Sequence, residues 1–559
     1  MLMGARCYHL PFDFNRTWMV GFKHGGDGMG AVAVDGANGE AVGSVEQMFG
    51  RFSAELIHQF PAWRKRLADR PDQLSELETD VHAACMRGAD MIICGLVAIV
   101  LQSHELAVAS EQTRLNFREP LARGRNRSIR VRLLSGFTMW VSSLYCEPEK
   151  SLAQREKRPA TGLYIELAQF GFGKGITPGL QSKVARQSAL SPSLDKAREE
   201  LVRGGLKINV KTVRRISNQC GDDLLKLRKT WLMQWRTGKL AAGDELHGKR
   251  VSVQIDGGRT KIRQTLRELA PQLEPVNEAG EVIENVPGRS RARAKRTFAS
   301  EWREPKLVTI FVHDEHGRME KKTQATIDGT FAGPDAICEL VAMHLHRLGA
   351  AKATSITFAC DGAPWIWDRI DRMVELAKIE KTVAIHQVLD NCHAAHHISL
   401  ALAALGLNEQ ERMPLYRELR TKLRNGQWRA VVEQLEELLE AFPLAEGMRT
   451  EIAYLRKHGE AKRLNYVYYR SLGIPLGSGA IESSIRRVIN TRLKNNGTFW
   501  LEKNAENMLQ LRALATTGRW DKQLYAMQSM NRTLYEADWT WVPQNMSSKK
   551  LESSNATLS

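Results

Sequence analysis

Between residues 473 and 500 the apolar positions Ile481, Ile485, Ile489 and Leu493 fall on one helical stripe, and Pro475, Gly477 and Gly479 break any incoming helix just before it. The spacing predicts a helix that begins at Ala480, takes Ser478 as its cap and docks its stripe on a flat surface. Glu482 sits at the edge of the stripe, Arg487, Thr491 and Lys494 take the opposite face, and Arg492 falls inside the stripe. Read alone, Glu482 is a first-turn acid that offsets the helix dipole and pairs with Arg486.

Upstream, the period changes several times. Residues 71–101 are helical in pattern, running from DQLSELETD into the apolar MIICGLVAIVL, which predicts a small helical core. In ARGRNRSIRVRLLSGFTMWVSSLYCEP, Ile129, Val131 and Leu133 alternate with basic residues, which predicts a basic hairpin turning at Ser135-Gly136. Its arginines either protect an edge strand or meet a phosphate backbone. Residues 191–236 read as two or three short helices, broken at Gly204-Gly205 and restarting near Asn209. That is helix-turn-helix spacing and would present Lys211, Thr212, Arg214 and Arg215 early on a recognition helix, although ordinary bundles also contain such pairs. Trp231 and Trp235, on the helix after that, are expected in a core.

From residue 249 strands dominate. The order is three strands, helix, strand, helix, strand, helix, an α/β arrangement. Residues 271–299 read as a basic loop between the first two strands, carrying Arg289, Arg291, Arg293, Lys295 and Arg296. Residues 407–472 read as an all-helical insertion, and Asp328-Gly329 as an ordinary turn. The domain boundaries expected are 1–70 (glycine-rich, unassigned), 71–190 (helical with the basic hairpin), 191–246 (helix-turn-helix), 247–406 (first part of the core), 407–472 (insertion), 473–525 (closing helix of the core) and 526–559 (tail). The fold class is therefore multidomain α/β plus α.

Charge narrows the partner. The 559 residues hold 80 Lys and Arg against 63 Asp and Glu, a net charge of +17 that favours a polyanion, nucleic acid first and an anionic membrane surface second. No window is read as a membrane-spanning helix, no secretory signal is indicated, and a cytoplasmic protein is expected. The eight cysteines are scattered without a CxxC pair, so neither a disulfide framework nor a structural zinc site is expected. The early glycines match no phosphate-loop or dinucleotide fingerprint.

The candidate chemistry lies at strand ends. In 251–256 the valines and isoleucine point one way and Ser252, Gln254 and Asp256 the other; 356–361 repeats the arrangement and ends on Asp361. Paired carboxylates at the ends of neighbouring strands repel unless a divalent cation neutralises them, and Mg²⁺ or Mn²⁺ selects such hard oxygen ligands. A third carboxylate from a packed helix would complete the set, and Glu482 is the residue predicted.

The segments IDGGR, ACDGAPWIW and GSGAIESSIRRVINTRLKNNGTFW, followed by LQLRALATTGRW, resemble the three acidic motifs and closing helix of the DDE transposases of bacterial insertion sequences, over about residues 249–520. The resemblance implies a ribonuclease H-like catalytic core, a mixed β-sheet flanked by helices. This core would be interrupted by the helical insertion and preceded by a mainly helical DNA-binding region. It implies catalysis by Asp256, Asp361 and Glu482 holding two Mg²⁺ or Mn²⁺ ions, with cleavage of element ends and transfer of 3′-hydroxyls to target DNA. Double-stranded DNA is the implied partner, met by Lys211, Arg214, Arg215, Arg291, Arg293, Lys295, Arg296, Arg487 and Lys494, with a homodimer or larger assembly on paired ends and no membrane. Asp390 and His393 in VLDNCHAAHH are similar to an Asp-x-x-His signature of several transposase groups; their plain reading is a capping aspartate and an exposed histidine. Where relatives often carry cysteine pairs before the helix-turn-helix, this chain has Cys146. The alternatives are a ribonuclease H-like nuclease or resolvase, and a transposase-derived DNA-binding protein without catalysis.

Overall fold

The protein is mixed α/β. A computed structural model describes residues 17–23, 30–35, 41–42, 45–115, 121–148, 163–172, 175–263, 299–494 and 498–531. Arg289, Arg291, Arg293, Lys295 and Arg296 lie outside the described residues. The chain divides into two compact units, Met1–Cys220 with Lys522–Thr540, and Gly221–Asp521 with Trp541–Ser559.

In the first unit, strands β1 (Thr17–Lys23), β2 (Gly30–Asp35) and β3 (Ala41–Val42) lead into helices α1 (Val45–Asp69), α2 (Leu74–Val100) and α3 (His104–Leu115). Helix α1 occupies most of the stretch after the glycine-rich start, where the sequence pattern gave no assignment. The alternation around Val131 produces the hairpin β4 (Leu121–Arg132) and β5 (Thr138–Pro148), which turns at Gly136, a residue with φ of +95° that favours glycine. A short β6 (Leu163–Tyr164) pairs with β5, and the sheet order β3-β2-β1-β5-β4 leaves β4 at an edge. Arg123, Arg125, Arg127 and Arg130 on that edge are exposed.

Met91, Cys94 and Val97 of α2 pack on Val131, Met139 and Val141 of the hairpin. One expectation is corrected here: the stretch Pro71–Val100 is long and apolar enough, by length and composition, to cross a membrane, although residues of its core-facing side pack as in a globular helix.

Helices α4 (Ile165–Gln169), α5 (Pro178–Leu190) and α6 (Leu194–Arg203) follow, and then α7 (Val210–Arg236). Leu180 and Val184 of α5, Leu201 of α6 and Val213 and Ile216 of α7 form one cluster. The expected short helices are corrected as well: α7 is a single 27-residue helix. It passes through Gly221 because that glycine marks a close approach rather than a break; a Cβ there would lie 2.7 Å from the Cβ of Asn507. Trp231 and Trp235 therefore sit on this same helix, partly buried against the second unit's core.

The second unit is built on a five-stranded sheet of order β11-β10-β7-β12-β13. Strand β7 (Arg250–Gly257) is followed by a small hairpin, β8 (Thr260–Arg263) with β9 (Ser300–Arg303), and then by β10 (Lys306–Val312) and β11 (Thr326–Thr330). The three sheet strands among these run antiparallel, whereas β12 (Ser355–Cys360) and β13 (Ala384–Leu389) continue the sheet parallel to β7. Helices α8 (Pro334–Leu348), α9 (Pro364–Trp367), α10 (Ile370–Leu376) and α11 (Asn391–Ala403) connect and cover the strands. Four helices fill 409–471: α12 (Glu409–Arg424), α13 (Trp428–Ala441), α14 (Gly447–Glu460) and α15 (Tyr466–Ser471). The chain then returns to the sheet as α16 (Gly479–Ile485), a π-helical turn at Arg486–Asn490, and α17 (Glu502–Ala515).

Ile481, Ile485, Ile489 and Leu493 are all buried, packed with Leu307, Ile327 and Leu509. Because α16 covers this face of the sheet, Ser252 and Gln254 on β7 are as buried as Val251 and Val253 on the other face. Asp328-Gly329 is a further correction. It is not a turn but the middle of β11, where the buried Asp328 accepts from Arg228 Nη1 at 2.9 Å and lies 2.8 Å from His344 Nε2. Burial would raise its carboxyl, yet Arg228 and His344 hold it down at about 2.

Candidate active site

Strand register sets the geometry. Strands β7 and β12 pair in parallel with Val253 beside Phe358, an offset of 105 residues that is also the offset from Asp256 to Asp361. Strands β12 and β13 pair with Cys360 beside Leu389, an offset of 29 that is also the offset from Asp361 to Asp390. Continued by a few residues, the ladder brings Asp256, Asp361 and Asp390 level at the carboxyl ends of three neighbouring strands, where open α/β sheets carry their sites.

The three are not equivalent. Burial raises the Asp256 carboxyl, the charge of Asp361 raises it further, and it is pushed up to about 6 although the Gly257 amide donates to it at 2.6 Å. Burial also raises Asp361, against the opposing effects of the Ala363 amide, at 3.2 Å, and the charges of His393 and Lys306. Asp390 is buried and fully engaged. Its Oδ1 accepts from the His393 amide at 2.8 Å, capping α11, while Oδ2 accepts from the Ser478 amide and lies 2.8 Å from Ser478 Oγ.

Ser478 is at the start of α16, but its hydroxyl does not cap that helix. It faces two carboxylates, Asp390 and, at 3.1 Å, Oε1 of Glu482, and its single proton serves one of them at a time. The first turn of α16 is held by Gln254 instead. Nε2 of Gln254 donates to the Gly477 carbonyl at 2.9 Å and its Oε1 accepts from the Ile481 amide at 3.0 Å. Thr309 on β10 and Ser484 join at 2.9 Å, and the Asn391 amide donates to the Leu476 carbonyl at 3.0 Å. A helix separated from β7 by more than two hundred residues is thus tied to it two residues before Asp256.

Glu482 is 54% exposed, and its Oε1 lies 3.9 Å from Nε2 of His393. That imidazole is 41% exposed, and its charge opposes the burial that raises Asp256 and Asp361. Among the described residues no group of three His, Cys, Asp or Glu side chains is drawn together closely enough to hold a metal ion. The donor chemistry of Asp256 and Asp361 nevertheless fits a hard divalent cation: two partly buried carboxylates, one raised by the other's charge, gain from a cation between them.

The insertion reaches the same loop. A Cβ on Gly362 would lie 1.8 Å from the hydroxyl of Tyr454 on α14, and the Tyr454 ring stacks on His397 with centroids 3.6 Å apart. Of the basic candidates, Lys211, Arg214 and Arg215 are exposed on the first turns of α7, and Arg487 and Lys494 are exposed beyond α16. Arg492 is buried over the Trp500 ring, 5.1 Å from its centroid, and burial draws its guanidinium down to about 10.

Sequence reasoning missed Gln254 and Lys306. Their signals were a glutamine two residues before Asp256 and a lysine opening the apolar run LVTIFV. No protein-family model matches the chain, and neither a curated protein nor a solved structure matches it.

Proposed function

We propose that the chain is a DDE-type DNA transposase that binds the ends of a mobile element, cuts phosphodiester bonds there and transfers 3′-hydroxyl ends to target DNA. One observation carries this reading: two acids end adjacent parallel strands, and a helix anchored beside the first of them carries a third. The sheet order, with antiparallel strands on one side of β7 and parallel strands on the other, supports a ribonuclease H-like core. The net charge of +17 and the exposed cations on α7, β4 and the segment beyond α16 support duplex DNA as the substrate.

In this reading Asp256, Asp361 and Glu482 would hold Mg²⁺ or Mn²⁺. The bound ions would activate the attacking oxygen and stabilise the leaving one. The remaining residues position this set. Gln254 and Asp390 fix the start of α16, and Asp390 also caps the helix that presents His393 beside Glu482. Lys211, Arg214, Arg215, Arg487 and Lys494 would neutralise phosphates, which makes binding salt-dependent and largely indifferent to sequence. Joining two ends implies at least a homodimer during reaction.

The test is incubation with Mg²⁺ or Mn²⁺ and a plasmid carrying the coding segment of this chain with its natural flanks. Cut and joined ends that disappear in Asp256→Asn, Asp361→Asn and Glu482→Gln, with DNA binding retained, support the proposal. Cutting without joining favours a nuclease, and cutting undiminished in all three variants removes the site assignment.

A further inference from the structure

Lys306 opens β10, beside Gly257 in the register with β7, and its side chain is only 9% exposed. A buried ammonium is costly unless it is partnered. Its nitrogen donates to Oε1 of Glu304 and lies 4.5 Å from the centroid of the Trp365 ring, and its charge bears on Asp361. Glu304 is itself 49% exposed, so this partner stands at the boundary with solvent. The lysine is thus in register with the residue that follows Asp256 and rests on the ring of a tryptophan four residues after Asp361, at the β10 side of the strand ends, whereas His393 stands at the β13 side at the start of α11.

We propose that Lys306 is a catalytic residue that contacts a non-bridging oxygen of the phosphodiester handled by Asp256 and Asp361, with Glu304 and the Trp365 face as its resting partners. The inference rests on the reading of the site as a phosphodiester-cleaving one. Such a cation has a task beside any bound metal: negative charge is spread over the non-bridging oxygens as the bond breaks, and a fixed donor there stabilises it. A lysine serves as a point charge with three donors, so it can exchange one carboxylate partner for a phosphate oxygen without losing the aromatic face. Glu304 supplies the exchange, because an exposed carboxylate regains water when released.

The experiment compares Lys306→Gln, Lys306→Arg and Glu304→Gln with the unaltered full chain on the plasmid described above. Lys306→Gln is expected to lower kcat about 10²-fold with KM within about threefold, a loss of the size seen when one charge-stabilising donor is removed. Lys306→Arg should recover part of the rate, and Glu304→Gln should keep it. A full rate in Lys306→Gln overturns the proposal, as does an equal loss in Lys306→Gln and Glu304→Gln, which marks a purely structural ion pair. A second measurement does not depend on cutting: a duplex with an abasic-site aldehyde, reduced with borohydride, traps lysines that touch DNA. Recovery of the adduct on Lys306 supports the contact even if the plasmid is left intact and the transposase reading fails. Its absence, with adducts on other lysines, overturns the contact whatever the plasmid shows.

Discussion

Asp390 and Ser478 are 88 residues apart in the chain, yet one carboxylate oxygen of Asp390 receives both the amide and the hydroxyl of Ser478. Its other oxygen caps the helix of His393. A single buried carboxylate therefore holds the starts of two helices that bring His393 and Glu482 together. Replacing Asp390 with Ala leaves two backbone donors without partners and should cost about 2–6 kcal/mol, since each buried orphan costs about 1–3. Thermal unfolding would show a lower Tm, and hydrogen exchange should quicken first at the amides of His393 and Ser478. Unchanged exchange at both amides would refute the shared anchor.

Asp256 predicts an opposite effect on stability. Its folded pKa, about 6, is above the usual aspartate value of 3.8, so the unfolded chain ionises first as pH rises and the fold loses stability through that window. Asp256→Asn should therefore melt higher than the unaltered protein above pH 6 by about 1–3 kcal/mol, with the gap closing below pH 4. The same variant should not cut DNA. A gap that is constant from pH 4 to pH 8 contradicts the assigned environment.

Asp328 and His344 make the protein sensitive to acid. Both carboxyl and imidazole are lowered in the fold, Asp328 to about 2 and His344 through burial, so the unfolded chain takes up protons more readily as pH falls. Stability should decline below about pH 6.5 as the unfolded histidine charges, and again between about pH 4 and pH 2. Scanning calorimetry as a function of pH would register both steps. Asp328→Ala should cost about 3–5 kcal/mol, because it leaves the buried Arg228 without one of its carboxylates.

Gly362 tests whether the insertion matters to the site. Gly362→Ala places a methyl group 1.8 Å from the Tyr454 hydroxyl, which must displace either α14 or the loop after Asp361. Cleavage should drop at least tenfold, at a cost in stability of about 1–3 kcal/mol. Tyr454→Ala combined with Gly362→Ala should lose less than the two changes added together, the sign of a shared contact. Strict additivity would separate the insertion from the site.

Much of this arrangement is legible in the sequence where it depends on periodicity. The stripe of Ile481, Ile485, Ile489 and Leu493 is written in its spacing, as are the alternation of the basic hairpin and the aspartates that close β7 and β12. Close approach between distant segments is not written there. Nothing local marks Gly221 as the point where Asn507 packs against α7, and Asp328-Gly329 resembles a turn until Arg228 and His344 are found around it. Gln254 shows the same limit, since nothing local marks a buried strand glutamine as the clamp of a helix that arrives 227 residues later.

That separation also orders events during synthesis. The two bonds from Gln254 to Gly477 and Ile481 span 223 and 227 residues, so at about 5–20 residues per second the ribosome works for tens of seconds between the first acid and the third. The sheet and the helical insertion have their full sequence available before α16 emerges. A nascent chain therefore holds the exposed cations of β4 and of the first turns of α7 well before Glu482 joins Asp256 and Asp361.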